Sequence, residues 1–271
     1  MEKETWAQTK GYVALAFILL AGVALLFDAQ YRLTTSAKAQ QERERPADLA
    51  LTLITPADCP QCVDGTGLIE QIEKQPVRLK STRTLSAASD EGSALIQSAE
   101  VERLPVVIVE GEFDKENVRE IFAKLQAKQK DQKLLIQPGE PVYQDVANQQ
   151  IVGLVDLTYL KDSGCSDCYD PANHKSLLER SFGLAVQSEM TVEAESPKGR
   201  ELIKKYAITE LPTVLLSAQA GTYPTLMQAW GQVGSVESDS TLVFRKNAAL
   251  GPVIYKDLKT GEIVRPAPTQ P

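Results

Sequence analysis

The sequence predicts an α/β fold made twice over: two consecutive units, each a central mixed sheet flanked by helices, after one apolar N-terminal helix. Three observations predict it. All four cysteines fall in two Cys-x-x-Cys pairs, Cys59-Pro60-Gln61-Cys62 and Cys165-Ser166-Asp167-Cys168. Each pair follows an apolar run containing Leu-Thr, Leu51-Thr52-Leu53-Ile54 and Leu157-Thr158-Tyr159-Leu160. Each precedes a Leu-Pro that opens a β-type run, Leu104-Pro105-Val106-Val107-Ile108-Val109 and Leu211-Pro212-Thr213-Val214-Leu215-Leu216. The match continues from Leu134-Leu135-Ile136 and Leu242-Val243-Phe244 to a closing Ile-Val at 151–152 and 263–264. The offset between copies grows from 106 at the cysteines to 112 at the end, as duplication with small insertions gives. So long a period means two domains rather than a solenoid.

Taken in order, the first element is an uncharged apolar run from Gly11 to Phe27, bounded by Lys10 and Asp28. At about 1.5 Å per residue it covers roughly 26 Å, enough for a thin bilayer. Trp6, Tyr12 and Tyr31 suit its two interfaces. Ala37-Lys38-Ala39 resembles a cleavage site but lies well past the run, so the expectation is an uncleaved single-pass anchor at 11–27 after a flank at 1–10. Lys3 and Lys10 precede it and Arg32, Lys38, Arg43 and Arg45 follow, a balance that alone would keep the globular part in the cytoplasm. Disulfides persist on the other side of the membrane, and the extracytoplasmic side is expected. Residues 28–47 read as a polar stalk, 48–153 as the first domain and 154–271 as the second.

β-type runs and helical periodicity place the remaining elements. The first unit should contain strand 49–55, a helix from Cys59 to about Gln75, strand 77–81, a helix over 90–99 and strand 105–110. A helix from Asp114 to about Gln129 follows, with an acidic start and Val118, Ile121, Phe122 and Leu125 on one face. Strand 133–137 and a hairpin of 141–145 with 150–155 complete it. The second unit should contain strand 154–160, a helix from Cys165 to about Arg180, strand 184–193, a helix from Pro197 to Tyr206 and strand 212–217. A short helix over 223–230 and a hairpin of 241–246 with 252–264 end the chain. Phe113, Phe122, Phe182, Tyr206 and Trp230 read as core or interdomain packing.

Composition narrows the function. With 43% apolar and 24% charged residues, each unit can bury its own core. A net charge of -7, with basic residues interleaved with acids as in Lys128-Gln129-Lys130-Asp131, argues against a nucleic-acid partner. His174 is the only histidine and nothing marks a partner serine, which sets a Ser-His-Asp site aside. Gly65-Thr66-Gly67 lacks the Lys or third Gly of a phosphate loop.

The order β-α-β-α-Pro-β, with a Cys pair at the first strand-to-helix turn, resembles the thioredoxin superfamily over about residues 48–271. It is most similar to tandem proteins of the protein disulfide oxidoreductase and glutaredoxin-like group. The resemblance implies a thiol–disulfide oxidoreductase with protein thiols and disulfides as partners, an upstream redox partner that the sequence does not name, and no cofactor beyond its own redox-active disulfides. It further implies Cys59 and Cys165 as nucleophiles, Cys62 and Cys168 as resolving thiols, and Pro105 and Pro212 as cis-prolines. Leu104 and Leu211 would offer backbone hydrogen bonds to an extended substrate. There are departures: Asp58 and Gly164 stand where an aromatic residue is common, and no acid sits in the first strand. Asp64 and Asp170, each two residues after a second cysteine, are candidates for a proton relay or for first-turn acids that complement a helix dipole.

A cysteine at a helix N-terminus would meet free N–H groups that stabilise its thiolate, and a thiol one turn on can resolve a mixed disulfide. Pro60 suits a first helical turn and should stiffen the first pair. Asp167 beside Cys165 and Cys168 should disfavour thiolate and make the second disulfide harder to reduce, so the pairs are expected to differ in potential. Two other classes stay open. One is a non-catalytic scaffold stapled by structural disulfides. The other is a zinc or copper site, with His174 as a third ligand, against which stands the long separation of the pairs. His174 is otherwise expected on the solvent side of its helix.

Overall fold

The computed structural model describes residues 40–139 and 141–266, with Gln30, Thr35 and Lys38. The expected anchor at 11–27 and much of the stalk lie outside the described residues; among those described, no helix is long and apolar enough to cross a membrane. Residues 40–44 are helical. Arg45 ties this stretch to the sheet, donating to Glu112 at 2.7 Å, while Lys115 and Asn117 donate to the Arg45 carbonyl.

The first sheet has the order β2-β1-β4-β6-β5, from β1 (Ala47–Thr55), β2 (Val77–Ser86), β4 (Val106–Gly111), β5 (Lys128–Lys130) and β6 (Lys133–Ile136). β1 and β2 are parallel; β4 runs antiparallel to both β1 and β6. Side chains alternate across a strand, and here both faces are covered. Leu49, Leu51, Leu53, Val107 and Val109 pack with Ile69 and Ile72 of α1 (Thr66–Glu73) and Val118 and Phe122 of α3 (Glu116–Lys124). Ile54, Val106 and Ile108 pack on the other side with Leu95 and Ile96 of α2 (Asp90–Ser98). A small second sheet joins β3 (Arg103–Leu104), β7 (Tyr143–Asp145) and β8 (Ile151–Val152) in that order.

The second half repeats this. β10 (Ala185–Glu193), β9 (Leu154–Lys161), β12 (Thr213–Leu216), β14 (Leu242–Phe244) and β13 (Gly234–Val236) form the large sheet in that order. β11 (Glu210–Leu211), β15 (Tyr255–Asp257) and β16 (Ile263–Val264) form the small one. The helices are α4 (Asn173–Phe182), α5 (Pro197–Lys205) and α6 (Pro224–Val233). Phe113 and Phe122 fall in the core of the first half, and Phe182, Tyr206 and Trp230 in those of the second.

Away from the cysteine turns, three expected elements differ. β2 runs on to Ser86, since its outer residues are mostly exposed and give no apolar end signal. The helix expected to Gln129 stops at Lys124: Gln126 turns to φ 53, and Lys128–Lys130 pair with β6 instead. The hairpin expected between 241–246 and 252–264 is two pairings, β14 with β12 and β13, and β15 with β11 and β16.

The duplication extends to a cap absent from the sequence reading. Ser89 and Ser196 accept from the backbone N–H of Gly92 (3.0 Å) and Gly199 (2.9 Å) at the starts of α2 and α5. Replacing Ser196 by Ala leaves that N–H without its partner, and urea unfolding should show a loss of about 1 kcal/mol.

Candidate redox site

Both cysteine pairs are closed disulfides, Cys59–Cys62 and Cys165–Cys168. Each lies in a turn closed by the second cysteine's N–H on the first one's carbonyl, at 3.2 and 3.3 Å. The helices begin only at Thr66 and Asn173, which corrects the expectation that they open at the cysteines. Long-range contacts delay them. Val63 N–H donates to Val142 O at 2.9 Å and Tyr169 N–H to Ile254 O at 3.0 Å, fastening the residue after each pair to a later hairpin. Gly65 then passes so near the sheet that a Cβ there would meet Leu53 Cδ1 at 2.4 Å and Pro105 Cβ at 3.5 Å. Because a dipole acts over the first turn only, the helix N-termini do not supply the thiolate stabilisation expected of them, and Pro60 stiffens a turn rather than a helix.

Asp64 and Asp170 organise the helix approaches. Asp64 accepts from Thr66 N–H (2.9 Å) and Thr66 Oγ1 (2.7 Å), and these bonds, the backbone one first, hold its carboxyl below the usual range. Asp170 accepts from Ala172 N–H at 3.0 Å. Both side chains face solvent.

Leu104–Pro105 and Leu211–Pro212 are cis. Leu104 and Leu211 are buried on β3 and β11, which are edge strands of the small sheets. The Leu211 carbonyl lies 4.0 Å from Cys168 Sγ, so the structure brings this segment against the disulfide. Each half thus pairs a parallel β-α-β start with antiparallel strands and places a cis-proline directly before the third strand of its large sheet. The fold is thioredoxin-like.

The two thioredoxin-like units are not equal at their cysteines. Cys59 and Cys62 are half-buried, whereas Cys165 is only 6% exposed. Asp167 accepts from Arg265 at 2.7 Å, and that guanidinium holds its carboxyl below the usual range. The charge expected to burden the second thiolate is therefore paired.

Sequence reasoning missed two groups in the second unit. Lys256 on β15 donates to Asp162 Oδ2 at 2.5 Å, and Asp162 Oδ1 also accepts from Gly164 N–H at 2.8 Å. The Lys256 bond, with the Gly164 bond behind it, keeps the Asp162 carboxyl low. The signal was a Lys at the place where the first copy has Gln144.

The other group surrounds His174, which is 5% exposed rather than solvent-facing. Its Nε2 lies 3.0 Å from the Tyr169 hydroxyl, and its ring meets Phe244 edge-on at 4.7 Å. The same hydroxyl reaches Pro212 O (3.1 Å) and Asn247 Oδ1 (2.8 Å), joining the residue after Cys168 to the cis-proline carbonyl. Burial lowers the His174 pKa to about 4 and raises that of Tyr169. The spacing of His174, Leu178 and Phe182 along one helical face was the available signal for this burial. Among the described residues no group of three His, Cys, Asp or Glu side chains is placed to hold a metal ion.

No protein-family model and no curated protein matches the chain. Comparison with solved structures gives matches of low identity and low TM-score. ERdj5 is 10% identical over 84% of this chain at a TM-score of 0.21, and the chain spans 28% of its length. The N-terminal domain of alkylhydroperoxide reductase AhpF from Enterococcus faecalis is 13% identical over 67% of this chain and 89% of its own, at a TM-score of 0.20. A protein disulfide oxidoreductase from Aeropyrum pernix is 16% identical over 65% of this chain and 78% of its own, at a TM-score of 0.19. TM-scores this low transfer no residue role or activity to this chain.

Proposed function

We propose that this chain is a membrane-anchored thiol–disulfide oxidoreductase that exchanges disulfides with protein substrates through two redox modules, 48–153 and 154–271. The observation that carries the reading is the repeated constellation: a closed Cys-x-x-Cys turn before a helix, followed by a cis-proline edge strand, in both halves. A substrate thiolate attacks one sulfur of a pair, the S–S bond breaks, and the second cysteine leaves as thiolate and takes up a proton. A second substrate thiol then displaces the mixed disulfide, so two electrons and two protons pass to the pair; the reverse sequence oxidises a substrate. Cys59 and Cys165 form the mixed disulfide and Cys62 and Cys168 resolve it. Leu104 and Leu211 offer edge-strand hydrogen bonds to the substrate segment, and Asp64 and Asp170, solvent-facing carboxylates two residues after each second cysteine, relay protons. No cofactor beyond the disulfides and no nucleic acid takes part. The anchor at 11–27 holds both modules on the extracytoplasmic side, and an upstream partner resets the pairs.

The test is a redox titration of the full chain in thiol buffers, trapped by alkylation and read by intact mass. Midpoints between about -120 and -270 mV are expected. Midpoints below about -300 mV would mark structural staples and sink the enzyme reading in favour of a scaffold.

A further inference from the structure

The two cysteine turns are bordered differently at matched positions. Asp162 precedes Cys165 by three, as Pro56 precedes Cys59. Lys256 faces Leu211 in the β11–β15 ladder, as Gln144 faces Leu104 in β3–β7. In the first unit Gln144 borders a cleft of about 340 Å³ that runs from Ala57 and Asp58, beside Cys59, past Ala87 and Ile96 to Leu104. In the second unit Lys256, at the position of Gln144, is instead held by Asp162 at 2.5 Å.

The bridge is built rather than incidental. The Asp162 side chain is 8% exposed and holds the Gly164 N–H as well as Lys256. Opening it would strand a nearly buried carboxylate, which is far costlier than parting an exposed pair. The same C-terminal hairpin adds Arg265 on Asp167, where the first unit has Gly153 and Gln61. Cys165 is correspondingly buried while Cys59 is half open.

We propose that the Asp162–Lys256 ion pair gates the second pair against extended polypeptide, so that protein thiols exchange at Cys59–Cys62 and only small thiols exchange at Cys165–Cys168. This rests on the oxidoreductase reading and narrows it: protein substrates dock at Cys59–Cys62 and Leu104, while Cys165–Cys168 and Leu211 meet small thiols alone. An extended segment needs room along the edge strand beside the attacked sulfur, and the bridge occupies it. A small thiol needs only an approach to the sulfur. The chemistry is the same at both pairs: two substrate thiols lose two electrons and two protons and become a disulfide, while the protein disulfide becomes a dithiol. Asp162 and Lys256 are specificity-determining residues that touch no reacting atom.

The experiment uses the full chain in two oxidised forms, Cys165→Ser/Cys168→Ser and Cys59→Ser/Cys62→Ser, each keeping one pair. Each is mixed with dithiothreitol or with an unstructured peptide carrying one central cysteine, and reduction or mixed-disulfide formation is followed by mass. Dithiothreitol should reduce both within about threefold, whereas the peptide should react at least about tenfold more slowly with the second pair. Adding Asp162→Asn with Lys256→Gln, which removes both charges together, should recover about tenfold of the peptide rate with little change for dithiothreitol. Equal peptide rates at the two pairs overturn the gate, and that comparison needs no change at the bridge. Parallel shifts of the peptide and dithiothreitol rates in the charge-free form overturn it as well. Failure of both pairs to react with dithiothreitol would overturn the oxidoreductase reading, and the gate with it.

Discussion

At pH 4 the second unit should be about 3 kcal/mol less stable than at pH 7 on account of one imidazole. His174 is buried against Phe244 and the Tyr169 hydroxyl, and burial lowers its pKa from 6.5 to about 4. Between those values the unfolded chain binds a proton that the folded chain refuses, so stability falls as pH drops through the window. Above about pH 7.5 the ring is neutral in both states and the contribution is complete. At about 1.4 kcal/mol for each tenfold change in proton affinity the whole interval is worth about 3.5 kcal/mol, and half-protonation of the folded ring at pH 4 leaves about 3 kcal/mol. As the chain has a single histidine, its proton resonance can be followed without assignment. A midpoint near 6.5 in the folded protein would refute the burial argument. Urea unfolding of His174→Phe should lose this part of the acid slope and keep the part due to carboxylates.

Gly65→Val should destabilise the first unit by about 2–3 kcal/mol, although Gly65 has an ordinary helical φ of -67. Space, not conformation, demands glycine there. The first added carbon would come 2.4 Å from a Leu53 side chain that is itself packed in the core, so Leu53 or the Gly65 backbone must move. Gly67, two residues on and inside α1, has nothing within 4 Å of an added Cβ. Gly67→Ala should therefore stabilise by about 0.5–1 kcal/mol through helix propensity. Denaturant titrations of both variants decide the matter, and equal responses would show that the close approach at Gly65 does not matter.

These two positions mark where sequence reading succeeds and where it stops. The duplication, the main strands and the Leu-Pro segments at the cysteines were readable because the run of Leu, Val and Ile alternates or persists at β spacing in both copies. The helix starts were not, since they are set by Val63 on Val142, Tyr169 on Ile254 and Gly65 on Leu53, partners far apart in the chain. β5 was unreadable for another reason: Lys128-Gln129-Lys130 has no apolar face, so it reads as more of the preceding helix. Asp167 was seen but Arg265 was not, because nothing local connects residues separated by 98 positions. His174 shows the opposite error, a polar residue assigned to solvent although it shares a helical stripe with Leu178 and Phe182.

The sequence separations at the cysteine turns also set an order of events during synthesis. Each disulfide spans three residues and needs no fold to close, but the groups that seal the second turn come much later, Lys256 being 94 residues after Asp162. At about 5–20 residues per second, that gap holds Cys165 and Cys168 in an unsealed nascent chain for about 5–20 s. During this interval the pair meets whatever oxidant or thiol its surroundings offer, polypeptide included. Its encounters with polypeptide thiols are therefore confined to the time before the hairpin that later guards it exists.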